Sequence, residues 1–177
     1  AVAAIAARSE LRPQVGVVLG SGLGGFADAV SDPVELPYGD IPGWPASTAI
    51  GHAGKLVLGR FGEVPVAVMK GRAHLYEGLS PADVVFGVRV LGRLGVRSLV
   101  LTNACGTIDP SIEPGTLVAI ADHLNLQGSS PLVGPNDETL GPRFPDMSDA
   151  YDPGYRAIAR RAAAALGLEL GEGVYAA

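Results

Sequence analysis

The sequence predicts an α/β fold, a mixed, largely parallel central β-sheet flanked by helices, in a single domain over residues 1–177. Three observations predict it. Short apolar runs bounded by glycine and proline recur along the chain, as buried strands do. Stretches with helical spacing of apolar residues lie between those runs, the alternation that builds parallel sheets. The first run also passes into a helical stretch through a glycine-rich turn, Gly20-Ser21-Gly22-Leu23-Gly24-Gly25.

Taken in order, residues 1–8 are alanine-rich and read as the end of a helix, which Pro13 closes. Residues 14–19 form a short buried strand, and residues 26–30, beyond the glycine turn, have helical spacing. Residues 32–45 carry Pro33, Pro37, Pro42 and Pro45 and read as loop or edge strand, because proline lacks the N–H a central ladder needs. Residues 55–59 and 64–69 are β-like runs on either side of Phe61-Gly62-Glu63, the pattern of a hairpin. A polar loop, residues 71–78, follows.

Ser80 caps the next helix, Pro81 suits its first turn and Asp83 sits near the positive end of its dipole. That helix runs to about Leu94, where Gly95 stops it. Residues 98–101 and 116–121 are apolar strands, the first opening into Thr102-Asn103-Ala104-Cys105-Gly106. A polar passage rich in proline and glycine fills residues 122–145. Residues 153–166 are helical, with Ile158, Ala162, Ala165 and Leu166 on one face, and residues 168–177 begin like a strand. A strand at the end leaves no helix to cover the sheet, so the sequence is expected to be part of a longer protein.

Composition excludes several classes of function. At 47% hydrophobic and 18% charged residues the chain is not disordered. A formal charge of −5 with scattered basic residues argues against nucleic acid, and no apolar run approaches the roughly 18 residues of a membrane span. Cys105 is the only cysteine, which excludes a disulfide scaffold and fits a reducing compartment. With no basic-then-apolar leader, the expectation is a cytoplasmic protein. Three histidines without metal-ligand spacing predict no metal site.

Three segments could carry chemistry. Gly20, Gly22 and Gly25 satisfy G-x-G-x-x-G, but the second apolar strand and the acidic residue of a dinucleotide site are replaced by a proline-broken stretch. What survives is an anion site, where glycines let backbone N–H groups approach and Ser21 adds a hydroxyl. A turn whose glycines serve only packing is the other reading. Gly71-Arg72-Ala73-His74-Leu75-Tyr76-Glu77-Gly78 places a guanidinium, an imidazole and a phenol at alternate positions, so an extended backbone would face all three to one side. Arg72 and His74 suit an anion and Tyr76 could cover a substrate beside it; a solvated loop with Arg72 paired to Glu77 is the alternative. Asn103-Ala104-Cys105-Gly106 puts small residues at a strand's C-terminal end, where ligands bind in open α/β sheets, although a plain strand-to-turn transition has the same look. Cys105 reads as a buried small hydrophobe, His52 as a lid residue and His123 as structural.

In their order along the chain these segments resemble the trimeric class of purine nucleoside phosphorylases. The resemblance is carried by residues 17–24, Gly51-His52-Ala53-Gly54, residues 71–78, Leu101-Thr102-Asn103-Ala104, residues 122–126 and residues 143–151. It implies a nucleoside phosphorylase-like sheet and phosphorolysis of purine nucleosides to free base and pentose 1-phosphate. Ser21, His52, Arg72, Ala73, His74 and the Ala104 N–H would bind phosphate, with Arg72 and His74 catalytic. Tyr76 would lie by the ribose, and Phe144 would complete a neighbour's site in a homotrimer. Orthophosphate is a co-substrate and no cofactor is implied. The chain departs from the family's Asn-Ala-Ala-Gly-Gly at Cys105 and Thr107, and it stops before the positions where the family's purine-recognising Glu and Asn and a second phosphate-binding Ser would come. A methylthioadenosine phosphorylase and a non-catalytic phosphate- or nucleotide-binding domain are the competing expectations, with an NAD-dependent dehydrogenase third.

Overall fold

The computed structural model describes residues 1–45 and 54–177. The described chain divides into two compact units, Ala1–Cys105 and Gly106–Ala177.

The first unit is built on a five-stranded sheet. Its strands are β1 (Val15–Val18), β2 (Ser31–Pro37), β3 (Lys55–Phe61), β4 (Val64–Lys70) and β5 (Ser98–Leu101), in the order β2-β3-β4-β1-β5. Strand β1 is parallel to both β4 and β5, with Val18 opposite Met69 on one side and Leu101 on the other. Strands β2, β3 and β4 are antiparallel neighbours. The sheet is therefore mixed, and its parallel part brings the C-terminal ends of β1, β4 and β5 side by side.

Alternation along the strands sorts the core. Val18, Leu56, Leu58, Ala67 and Met69 point to one face, where they meet Ile5 of α1 (Val2–Ala6), Trp44, and Val90, Leu91 and Leu94. Val17, Leu19, Val57, Val66 and Val68 point to the other, against Ala27 and Val30. Burial on both faces is why these strands read as nearly continuous apolar runs.

Sequence and structure agree closely over the hairpin. Phe61 pairs with Val64 across Gly62-Glu63, and Gly62 takes a φ of 58°, as the first central residue of a two-residue hairpin turn must. The proline-rich stretch supplies edge strand β2, whose register shifts between Ser31 and Val34, so Pro33 falls in a bulge. The helix after Ser80 forms as two pieces, α2 (Pro81–Val84) and α3 (Phe86–Leu94), with Ser80 and Asp83 exchanging capping bonds. The helical spacing after the glycine turn yields only a 3₁₀ segment, Gly24–Ala29, as Gly24 and Gly25 at its start leave too little helix propensity for more.

The second unit pairs β6 (Leu117–Leu124) in parallel with β7 (Leu170–Ala176), and α4 (Pro153–Ala165) connects them. Asp152 caps α4, its carboxylate accepting from the Tyr155 N–H at 2.8 Å. One expectation is corrected here. Strand β6 continues through Asp122, His123 and Leu124, residues expected in the polar passage, because β7 offers ladder partners to Asp122, His123 and Leu124. The face that carries Ile158 and Leu166 is open, at 51% and 75% exposure. Among the described residues no helix is long and apolar enough to cross a membrane.

Candidate functional site

The parallel strands β4, β1 and β5 end together, and each hands the chain to one of the three segments singled out from sequence. The glycine turn leaves β1, the Gly71–Gly78 loop leaves β4, and Thr102-Asn103-Ala104-Cys105 leaves β5. Ligands bind at this end of parallel strands because loops there diverge and leave a crevice.

Thr102 ties the three segments to one another. Its N–H and its hydroxyl both donate to the Val18 carbonyl at 3.0 Å, and its Oγ1 accepts from the Gly20 N–H at 2.8 Å. Its carbonyl accepts from Arg72 Nη1 at 2.6 Å. Gly20 is held so close that a Cβ there would lie 2.9 Å from the Thr102 carbonyl oxygen and 3.1 Å from Asn103 Cα. Only glycine fits between β1 and β5 at this point.

The Arg72 loop is fixed from behind. Tyr38, buried and stacked on Trp44 with ring centroids 4.7 Å apart, donates its hydroxyl hydrogen to the Gly71 carbonyl at 2.6 Å. Burial pushes the Tyr38 phenol well above its ordinary range, so it stays a neutral donor. Further along, His74 donates both its backbone N–H (2.8 Å) and its Nδ1–H (2.9 Å) to Glu77 Oε1. The Glu77 side chain is only 4% exposed, so the carboxylate is an interior anchor for the imidazole.

The loop is not extended throughout, as the equal-facing expectation for Arg72, His74 and Tyr76 required. His74 is extended, but Leu75–Glu77 is a 3₁₀ turn that takes Tyr76 out of alternation. The turn instead folds the Tyr76 ring over His74, stacked at 4.7 Å and 19°, while leaving Tyr76 76% exposed. Glu77, weighed from sequence as a partner for Arg72, is bonded to His74.

Of the residues expected at a site, Ser21, Arg72, Ala73, His74, Tyr76 and Ala104 lie on these three segments. His52 lies outside the described residues. Phe144 belongs to the second unit, 88% exposed in a cleft of about 400 Å³ lined also by Leu132, Val133 and Met147. Arg143 shapes that cleft by donating from Nη1 to the carbonyls of Leu132 (2.9 Å) and Gly134 (2.6 Å). His123 packs edge-on against Tyr151, with Nδ1 3.3 Å from the phenol oxygen, in keeping with a structural role. Cys105, expected to be buried, is exposed, because it lies beyond the end of β5 where the sheet no longer covers it.

Thr102, Tyr38 and Asn103 were not assigned roles from sequence. Tyr38 carries no local signal at all, being 33 residues from its partner. Asn103 is set apart by its side-chain Nδ2, the one buried side-chain nitrogen or oxygen among the described residues that has no hydrogen-bond partner.

Comparison with known proteins places this geometry. A relative named purine nucleoside phosphorylase 1 from Geobacillus stearothermophilus is 52% identical over 165 residues, covering 93% of this chain and 60% of its own length. The crystal structure of Schistosoma mansoni purine nucleoside phosphorylase in complex with adenosine superposes at a TM-score of 0.93 and 39% identity, over 99% of this chain and 63% of that one. The isoform 2 enzyme of the same organism, in complex with cytosine and ribose 1-phosphate, gives a TM-score of 0.93 at 39% identity, over 99% and 64%. The chain thus spans about 60% of the length of the curated relative it matches. A family model described as the phosphorylase superfamily matches residues 14–177, and the chain belongs to that family.

Proposed function

We propose that the protein is a purine nucleoside phosphorylase, a pentosyltransferase of purine salvage, and that the ends of β1, β4 and β5 hold its phosphate. One observation carries the reading: Thr102 binds the glycine turn through its hydroxyl and Arg72 through its carbonyl, so backbone amides and a guanidinium meet at one sheet end. In this reading Ser21, His52, Arg72, Ala73, His74 and the Ala104 N–H contact phosphate. Residues 1–177 act as one domain, and the protein works in the cytoplasm.

The chemistry makes simple demands. A phosphate oxygen forms a bond to C1′ of the sugar as the bond from C1′ to the purine nitrogen breaks. The electron pair leaves with the base, which takes up a proton. Positive charge grows on the ribosyl ring and negative charge on the purine, so an anion fixed beneath the sugar is both nucleophile and counter-charge. Arg72 is suited to hold it as a planar fork of donors. His74, with its Nδ1 proton committed to Glu77, acts on substrate through Nε2, and Tyr76 stacked upon it covers the ribose. Phe144, exposed on a loop braced by Arg143, reaches the ribose pocket of a neighbouring subunit in a homotrimer.

The test is phosphate-dependent release of hypoxanthine from inosine, read through coupled oxidation to uric acid. Arg72→Ala should lower turnover about 10²-fold or raise the phosphate KM strongly. Unchanged phosphorolysis in that variant would remove Arg72 from the site. Cleavage of methylthioadenosine in preference to inosine would move the assignment to the related phosphorylase.

A further inference from the structure

We propose that Tyr151 is a positioning residue for nucleoside binding, holding the far end of the arm, residues 143–151, that presents Phe144. The proposal deepens the shared-site reading above and rests on it.

The arm is stiff from its sequence upward. Pro142 and Pro145 flank Arg143-Phe144, and the residue before a proline is confined to extended backbone, so Phe144 has little freedom of its own. Beyond it, the Asp146 carboxylate accepts from both the N–H (2.9 Å) and the hydroxyl (2.7 Å) of Ser148. The Ala150 N–H donates to the Met147 carbonyl at 3.3 Å. These closed turns leave the two ends to set where the arm lies. Arg143 fixes the first end on the carbonyls of Leu132 and Gly134.

Tyr151 fixes the second end, and it is held twice. Its phenol oxygen is 3.3 Å from Nδ1 of His123 in β6, with the two rings packed edge to face. Burial, with Asp122 and Tyr175 nearby, raises its pKa, so the phenol stays protonated opposite that nitrogen. Its carbonyl accepts from Arg156 Nε of α4 at 3.2 Å, and Arg156 Nη1 pairs in turn with Glu172 of β7 at 2.7 Å. One residue thereby ties the arm to β6 directly and, through Arg156, to α4 and β7. An exposed aromatic side chain that reaches for a neighbour's ligand loses less freedom on binding when its base is already ordered. Tyr151 therefore acts on the nucleoside through Phe144 and leaves phosphate, whose proposed ligands lie on other segments, untouched.

The experiment measures inosine and phosphate KM for Tyr151→Phe and Arg156→Lys, each made in the unsubstituted protein and in Phe144→Ala. Tyr151→Phe keeps a ring against His123 and loses the hydroxyl; Arg156→Lys keeps a cation for Glu172 and loses the Nε–H. Support is an inosine KM raised about threefold to tenfold in each, the cost of ordering one side chain, with phosphate KM changed by less than about twofold. In the Phe144→Ala background the same substitutions should move inosine KM by less than about twofold, because residues that act through one another are not additive. The full effect in that background, or an equal rise in phosphate KM, marks a general structural role and overturns the proposal. Unchanged inosine KM in both variants, where Phe144→Ala raises it, overturns the role of Tyr151 alone. Unchanged inosine KM in Phe144→Ala overturns the shared site itself, and the arm with it.

Discussion

In the proposed site Arg72 and His74 are held by neighbouring groups, and those supports make predictions of their own. The Tyr38 hydroxyl bonds the carbonyl of Gly71, the residue before Arg72, from a buried position. Tyr38→Phe keeps the stack on Trp44 but leaves that carbonyl unpaired, which should cost about 1–3 kcal/mol and raise the phosphate KM more than it lowers kcat. The same residue sets an alkaline limit. Burial raises its pKa in the folded protein, whereas the unfolded chain releases the proton near pH 10. Above that pH the unfolded state binds fewer protons than the folded one, so stability falls as pH rises. Tm measured from pH 8 to 11 should therefore decline more steeply for the unsubstituted protein than for Tyr38→Phe, and parallel curves would discount the burial argument. Glu77→Gln removes the carboxylate that orients His74 and should lower kcat with little change in ligand-free Tm. Kinetics and melting on one preparation decide that point.

At the scale of elements, the sheet depends on a close approach that only one residue type permits. A Cβ at Gly59 of β3 would lie 2.6 Å from the Ser31 carbonyl oxygen and 2.5 Å from Val30 Cγ1, against backbone at the β2 bulge. Gly59→Ala should destabilise the first unit by about 1–3 kcal/mol, seen as a lower urea midpoint with an unchanged m-value. Elements were also where the sequence was most legible. Strands β1, β3, β4 and β5, the hairpin at Gly62 and the cap at Ser80 follow from local pattern and turn chemistry. The helix at residues 26–30 was overestimated because period alone ignores the cost of Gly24 and Gly25 just before it. Strand β6 was underestimated because Asp122 and His123 look like loop until β7 is there to pair with them.

For the whole molecule, the proposed trimer makes a test that no single chain can pass. Phe144 stands exposed on its loop, and the proposed site needs one from a neighbour. Arg72→Ala and Phe144→Ala chains should each be poorly active alone. Mixed and reassembled, they should exceed the average of the two, because some sites then combine an intact Arg72 with an intact Phe144. Activity no higher than the average, or a native mass of one chain, would count against a shared site.

The sequence by itself determined the α/β class, most of the strands, the glycine turn that follows β1 and the family resemblance, because each is written in spacing a few residues long. Only the tertiary structure decided that Thr102 joins Gly20 to Arg72, that Tyr38 braces Gly71 and that Asn103 keeps an unmet donor. The physical reason is that hydrogen bonds across parallel strands link residues 30 to 82 positions apart, and no local pattern records which of them will meet.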